Sequence, residues 1–397
     1  REKVTKNYQY FTLYAQNKWG VMNQDGEEVI TPSYQEMIII PDEEKEVFIC
    51  TYDVDDQTGT YKTKAINSKN EDIFTEYDQV EAIDNMDKNN NLWYEKNVLK
   101  VSKNGKYGLI DFNGKELLPI EYDEITTLDG MENSIIIKKD EKVGLVNDNG
   151  SIIIVANYKE IRPLGETYKE GYITIDEADK YGVVSATKRQ ILENKYDEIS
   201  SVYLKDYYLV KENEKKELID SDGKVILDSG FDDIKSATTN GVIFTKNDLC
   251  GEISALGEVT LEAKYQDLKE VKEGKYIAKQ NDKYGIIDNV GNEQLAFEYA
   301  GITYNEKADL FFAEDSEYNT SIIDDLYTVK ATGILSEVND NDGYIRMRVN
   351  DDYKYYDLNG EETENTKVLK NNTIFLDKQN GKYGYVDKKG NPVTEYI

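Results

Sequence analysis

One motif recurs eleven times along this chain at a spacing that hardly drifts. Its fullest copy reads Lys106-Tyr107-Gly108-Leu109-Ile110-Asp111-Phe112-Asn113-Gly114-Lys115, followed by Tyr122-Asp123-Glu124-Ile125. With the residue before the glycine as position zero, the copies start at Trp19, Thr63, Tyr107, Val143, Tyr181, Lys216, Cys250, Tyr284, Thr320, Tyr353 and Tyr383. The mean step is about 36 residues, a period characteristic of repeat architectures. A unit that short cannot bury an apolar face alone, so the units must stack, each against its neighbours.

Each position has a physical task. Position four holds Asp, Asn or Ser in all eleven copies, from Asn23 and Asp111 to Asp387. Their short polar side chains bond the backbone two residues on and start a turn. Three residues later comes glycine in eight copies and Asn70 in one, residues that tolerate the positive φ of a bulged hairpin. Lys188 and Tyr327 stand there instead, which predicts two distorted hairpins. The glycine after position zero, as at Gly108 and Gly285, predicts a close approach to the strand. An aromatic ring from the adjoining strand is the expected neighbour.

A residue before the turn is apolar or aromatic throughout, and a Tyr or Phe recurs fifteen residues after position zero, as at Tyr34, Tyr122, Tyr196 and Tyr265. Runs such as Ser134-Ile135-Ile136-Ile137-Lys138 and Thr373-Ile374-Phe375-Leu376-Asp377 supply a further strand before the next unit. Helical periodicity is absent. The fold class is therefore all-β, a tandem array of about eleven four-stranded antiparallel β-meanders. Repeats start near 10, 46, 98, 134, 171, 207, 241, 275, 309, 343 and 373 across residues 1–397, with insertions at 41–61 and 84–97.

The repeated Lys18-Trp19-Gly20, Lys106-Tyr107-Gly108-Leu109-Ile110-Asp111 and Lys283-Tyr284-Gly285-Ile286-Ile287-Asp288, with Pro119-Ile120-Glu121-Tyr122-Asp123 downstream, resemble the WG-repeat (KWG-repeat) family of bacterial proteins. The likeness covers essentially the whole chain. Only Trp19 keeps the namesake tryptophan, and the ninth and tenth units have lost much of the pattern. The resemblance implies a β-rich scaffold, often joined to other modules, with no general enzymatic activity and no catalytic residues to carry over.

Composition narrows the partners. With 48 Lys and Arg against 78 Asp and Glu, the net charge of −30 repels phosphate backbones and anionic membranes. Cationic proteins, Ca²⁺ and neutral glycans remain open as partners. No 18-residue apolar run exists, so this segment holds no membrane span. A start at Arg1 and a stop at Ile397 inside a repeat suggest a segment cut from a longer protein, any signal or anchor lying outside it.

Chemistry is sparse. The chain has no His, which removes His-dependent triads, dyads and metal sites. Cys50 and Cys250 fall in different phases of the repeat and are not expected to bridge. Two acidic clusters, Asp53-Val54-Asp55-Asp56 and Asn339-Asp340-Asn341-Asp342, lack the distal bidentate Glu of a Ca²⁺ loop and read as solvated turns. No cofactor is expected. Leu92, Trp93 and Tyr94 stand out as three bulky residues in an Asn-rich insertion, which either fold back over the scaffold or await a partner.

These features point to a non-enzymatic binding scaffold of a bacterial surface or secreted protein, presenting an acidic, tyrosine-rich face to a protein or glycan. The alternatives are a structural spacer for another module and a carboxylate-dependent glycan-active enzyme. Four-stranded units can stack as an open curved superhelix or close into tandem β-propellers; the even spacing fits the open array better. Small-angle X-ray scattering tests this. Sheets stacked about 10 Å apart give a length on the order of 100 Å. A radius of gyration near the globular value of about 21 Å for 397 residues would defeat the open array.

Overall fold

The computed structural model describes residues 9–202, 204–364, 374–387 and 390–397. The repeat start near 373 lies outside them. The chain forms two compact units, one of residues 1–201 and 205–224, the other of 202–204 and 225–397. Both are built from small antiparallel sheets taken up in chain order. The sheet Glu124–Thr127, Ile135–Lys139, Lys142–Val146 and Ile152–Tyr158 is representative of the first unit, and Asp267–Lys272, Lys275–Gln280, Lys283–Asp288 and Glu293–Tyr299 of the second. Among the described residues one 3₁₀ turn, Tyr168–Glu170, is helical.

The strand after position zero explains the stacking. Successive side chains on a strand point to opposite faces. Leu109 packs toward the following sheet, among Ile125, Ile135 and Ile137, while Ile110 packs toward the preceding one, among Ile49 and Ala65. Ile286 and Ile287 divide the same way, the first against Ile302 and Phe311, the second against Ile243, Leu261 and Tyr265. Two adjacent apolar residues are therefore needed, because the strand is covered on both faces. Where the seventh copy puts Glu252 at the first of these places, its carboxylate is buried but satisfied, accepting from the hydroxyls of Tyr276 and Thr260, each at 2.6 Å.

The strand glycine does meet a close neighbour, but in most copies it is backbone and not a ring. Tyr107 pairs with Tyr122 while Leu109 pairs with Leu118, so the last strand carries two extra residues opposite Gly108. That bulge arches over the glycine, and an added Cβ would lie 2.6 Å from the Leu118 carbonyl oxygen. The expected aromatic appears at Gly285, where Phe297 joins the Leu295 carbonyl, and at Gly384 beneath Tyr396.

The hairpin turns behave more uniformly than expected. In the third copy Asp111 Oδ1 accepts from the amides of Asn113 and Lys115, both at 2.9 Å, and Gly114 sits at φ +85°. Lys188 and Tyr327 make the same turn with φ of 70° and 64°, and the same backbone bonds close it, Lys188 N–H to Ser185 O at 3.1 Å and Tyr327 N–H to Asp324 O at 3.0 Å. These hairpins are strained rather than distorted. Register on either side overrides the local preference.

Tyr-Asp marks the corner between sheets. Asp123 reaches past the break, its Oδ2 accepting at 2.8 Å from the Asp140 amide in the next tight hairpin, and Asp197 does the same for Asn213. The ninth copy has Leu335-Ser336 at this place, and Val329–Asn339 runs on without a corner, fusing two meanders into one six-stranded sheet.

Three substitutions test these readings. Gly144→Ala should cost about 2–3 kcal/mol, because its Cβ would meet the Ile154 carbonyl at 2.5 Å, whereas Gly301→Ala, with open space, should be nearly neutral. Lys188→Gly should stabilise by about 1 kcal/mol through relief of the left-handed strain. Thermal melts of the three variants decide; equal losses at Gly144 and Gly301 would refute the bulge argument.

Candidate binding cleft

The insertion at 84–97 is not a loose loop. Asp84–Met86 and Leu92–Tyr94 pair as a two-stranded hairpin, closed by Asp87, whose Oδ1 accepts from the amides of Asn89 and Asn91. This is the repeat's own turn used again, with Asn90 at φ 60° in the glycine's place. Asn85 clamps the hairpin to the following sheet. Its buried side chain donates to the carbonyls of Leu128 and Met131 and accepts from the Gly130 amide at 3.0 Å. An ion pair between Lys88 and Glu166 adds a looser outer tether.

Clamping the hairpin settles where its bulky residues go. Leu92 stays about half exposed, while Trp93 and Tyr94 are half-buried. Both line an open cleft of about 640 Å³ with Tyr168, Ile40 and Pro41. Leu92 is not among its walls. Burial, aided by the nearby Asp84 carboxylate, raises the Tyr94 hydroxyl above its ordinary pKa.

Glu95, one residue beyond the aromatic pair, also lines this cleft and is 4% exposed. Its backbone amide is tied to the Ile83 carbonyl at 2.8 Å, which holds the residue in place, but its Oε1 has no hydrogen-bond partner. Burial, then the charges of Asp148 and Glu132, push the carboxyl up to about 7. The basic residues nearby are engaged elsewhere. Lys96 pairs with Glu43 at 3.2 Å, and Lys45 pairs with Asp42, donates to the Lys96 carbonyl and lies over the Phe112 ring. Asn97 holds Asp148 by a 3.0 Å bond to its Oδ2. The cleft therefore combines aromatic walls, an acidic rim and a buried carboxyl without a counter-charge.

Sequence reasoning singled out Trp93 and Tyr94 and missed Glu95, since one glutamate among 78 acidic residues carries no signal of its own. The two acidic clusters are turns. Asp55 Oδ1 accepts from the Gln57 amide and Asn339 Oδ1 from the Asp342 amide. Among the described residues no group of three His, Cys, Asp or Glu is placed to hold a metal ion. Cys50 and Cys250 are buried free thiols, the former pushed up to about 11 chiefly by burial. Nor does the recurring tyrosine form an exposed row: Tyr122, Tyr196 and Tyr265 are core residues. No helix among the described residues is long and apolar enough to cross a membrane.

Fold and cleft together define a tandem β-repeat scaffold. Three stretches of it, residues 19–39, 107–142 and 253–284, match the WG containing repeat family, to which the chain is similar there. No curated protein is close enough in sequence to match. Solved structures with partial likeness include a eukaryotic initiation factor, 12% identical over 76% of this chain and 96% of that one, with a TM-score of 0.31. Hsv2 of Kluyveromyces lactis is 10% identical over 56% and 87%, with a TM-score of 0.27. BamB from Moraxella catarrhalis is 10% identical over 88% and 91%, with a TM-score of 0.21. Scores this low carry no argument, and the architecture rests on the sheets themselves.

The raised carboxyl makes a prediction about pH. Glu95 holds its proton more tightly folded than unfolded, so between about pH 4.5 and 7 the native state binds more protons, and this group's contribution to stability falls as pH rises. Glu95→Gln removes that loss and should stabilise the protein at pH 8 relative to pH 5 by on the order of 2 kcal/mol. Melting the variant and the parent at both values checks it; an identical pH dependence would mean that Glu95 is solvated.

Proposed function

We propose that this chain is a non-enzymatic binding scaffold, part of a surface or secreted bacterial protein, and that the Trp93–Tyr94 cleft is where it receives a protein or glycan partner. One observation supports this above the rest. Two large aromatic side chains line an open cleft together with a buried glutamate whose Oε1 lacks a partner, an arrangement that costs stability in the free protein and is relieved by a ligand. The stacked sheets supply a rigid base, and the Asn85 clamp fixes the hairpin on it. The rival role of a spacer gives no reason for a single repeat to carry this insertion.

A glycan-active enzyme has one observation in its favour. A carboxyl raised to about 7 beside Glu132 and Asp148 is the kind of group that serves as a general acid. Both readings meet in one experiment. Trp19 and Trp93 are the two tryptophans, so Trp19→Phe leaves Trp93 as the sole emitter. Titrating that variant with neutral oligosaccharides and with peptides of either charge should change Trp93 fluorescence saturably for at least one class, with the oligosaccharides recovered intact. Cleaved oligosaccharide, with cleavage lost in Glu95→Gln, would establish the enzyme instead. A flat response to every class would leave the spacer.

A further inference from the structure

Resting on the reading of the Trp93–Tyr94 cleft as a binding site, we infer that its ligand is cationic: a lysine or arginine side chain of a basic polypeptide, its ammonium or guanidinium seated against Glu95 between the aromatic walls. Glu95 is the independent sign of a ligand. Its side chain is nearly fully buried, its Oε1 is unpartnered, and it lines the cleft. A neutral hydroxyl could donate one hydrogen bond there, but it would leave the carboxylate charge buried and uncompensated. An ammonium or guanidinium donates and neutralises together.

The surroundings favour the same charge. Every charged side chain lining the cleft apart from Lys96 is acidic: Glu43, Glu95, Glu132 and Asp148. Lys96 is already committed to Glu43 at 3.2 Å, and Asp148 is oriented by Asn97 and not by a cation. Trp93, Tyr94 and Tyr168 offer faces on which a desolvated cation is further stabilised. A volume of about 640 Å³ exceeds one side chain and leaves room for a short stretch of backbone beside it. The chain's net charge of −30 would steer a basic polypeptide toward the cleft but does not select this place on it. Binding also draws the proton from Glu95, so affinity should fall as pH drops from 8 to 5, with Glu43, Glu132, Asp148 and Lys96 as the other charged groups facing the site and Tyr94 and Tyr168 as its remaining titratable side chains.

The test uses the full chain with Trp19→Phe, at about 0.15 M salt to screen diffuse attraction. The probes are a penta-lysine peptide, its penta-arginine and fully acetylated counterparts, spermidine, and a neutral oligosaccharide. The lysine or arginine peptide should quench or shift Trp93 saturably, bind at least tenfold more tightly than the acetylated peptide, and weaken at least tenfold in Glu95→Gln. Asp148→Asn provides a second variant that keeps an acceptor for Asn97, and about threefold weakening is expected there. Equal binding of lysine and acetyl-lysine peptides, or a response only to the oligosaccharide, would overturn the cationic ligand while leaving the cleft as a binding site. Basic-peptide binding unchanged in both variants would reduce the effect to net charge and overturn it too. Tighter binding of spermidine than of either peptide would overturn the polypeptide. No response to any probe would remove the binding-site reading itself.

Discussion

Everything in this protein depends on a strand with no solvent side. Leu109 and Ile110, or Ile286 and Ile287, are consecutive in sequence and belong to different cores, one shared with the preceding sheet and one with the next. Each sheet is then a layer that cannot be stable alone, and stability comes from pairs of neighbours. The two extra residues opposite the strand glycine follow from the same demand. The last strand must bend away to reach the corner while still pairing at both ends, so the carbonyl above Gly108 comes closer than a Cβ allows. The corner in turn is held by the aspartate of Tyr-Asp, which ties one sheet's end to the next sheet's tight hairpin. At Leu335-Ser336 two meanders merge into one sheet, although Lys159 and Ala300 at the same place leave the corner intact, so the aspartate reinforces the corner and is not its sole cause.

Repetition also explains why the tyrosines make no binding surface by themselves. A ring at fixed register fifteen residues after position zero lands at the same place in each of the seven units that carry it, and that place is the seam between sheets, where Tyr122, Tyr196 and Tyr265 are buried. The position-zero rings Tyr107, Tyr181 and Tyr284 lie half-buried with cations drawn over them, Lys100 over Tyr107, Arg162 over Tyr181 and Lys279 over Tyr284. A distinctive site had to come from outside the repeat. The 84–97 hairpin is such an addition, and Glu95 is the one point in its cleft where local stability is given up without a visible internal return.

Much was legible because the repeat samples each position eleven times. The Asp-x-x-Gly turns, the close approach at the strand glycine, the apolar residue before the turn and the all-β class all follow from short-range chemistry that any single copy states and the others confirm. What the sequence left open depends on contacts between residues far apart in it. The neighbour of Gly108 proved to be a carbonyl because a bulge, set by pairing at both ends of the strand, has no residue signature. Lys188 and Tyr327 took the left-handed conformation because flanking register outweighs about 1 kcal/mol of local strain. Glu95 looks like any other glutamate until Ile40, Glu132, Asp148 and Tyr168 are brought around it. Its burial and its missing partner are properties of that enclosure, and only the tertiary structure could decide them.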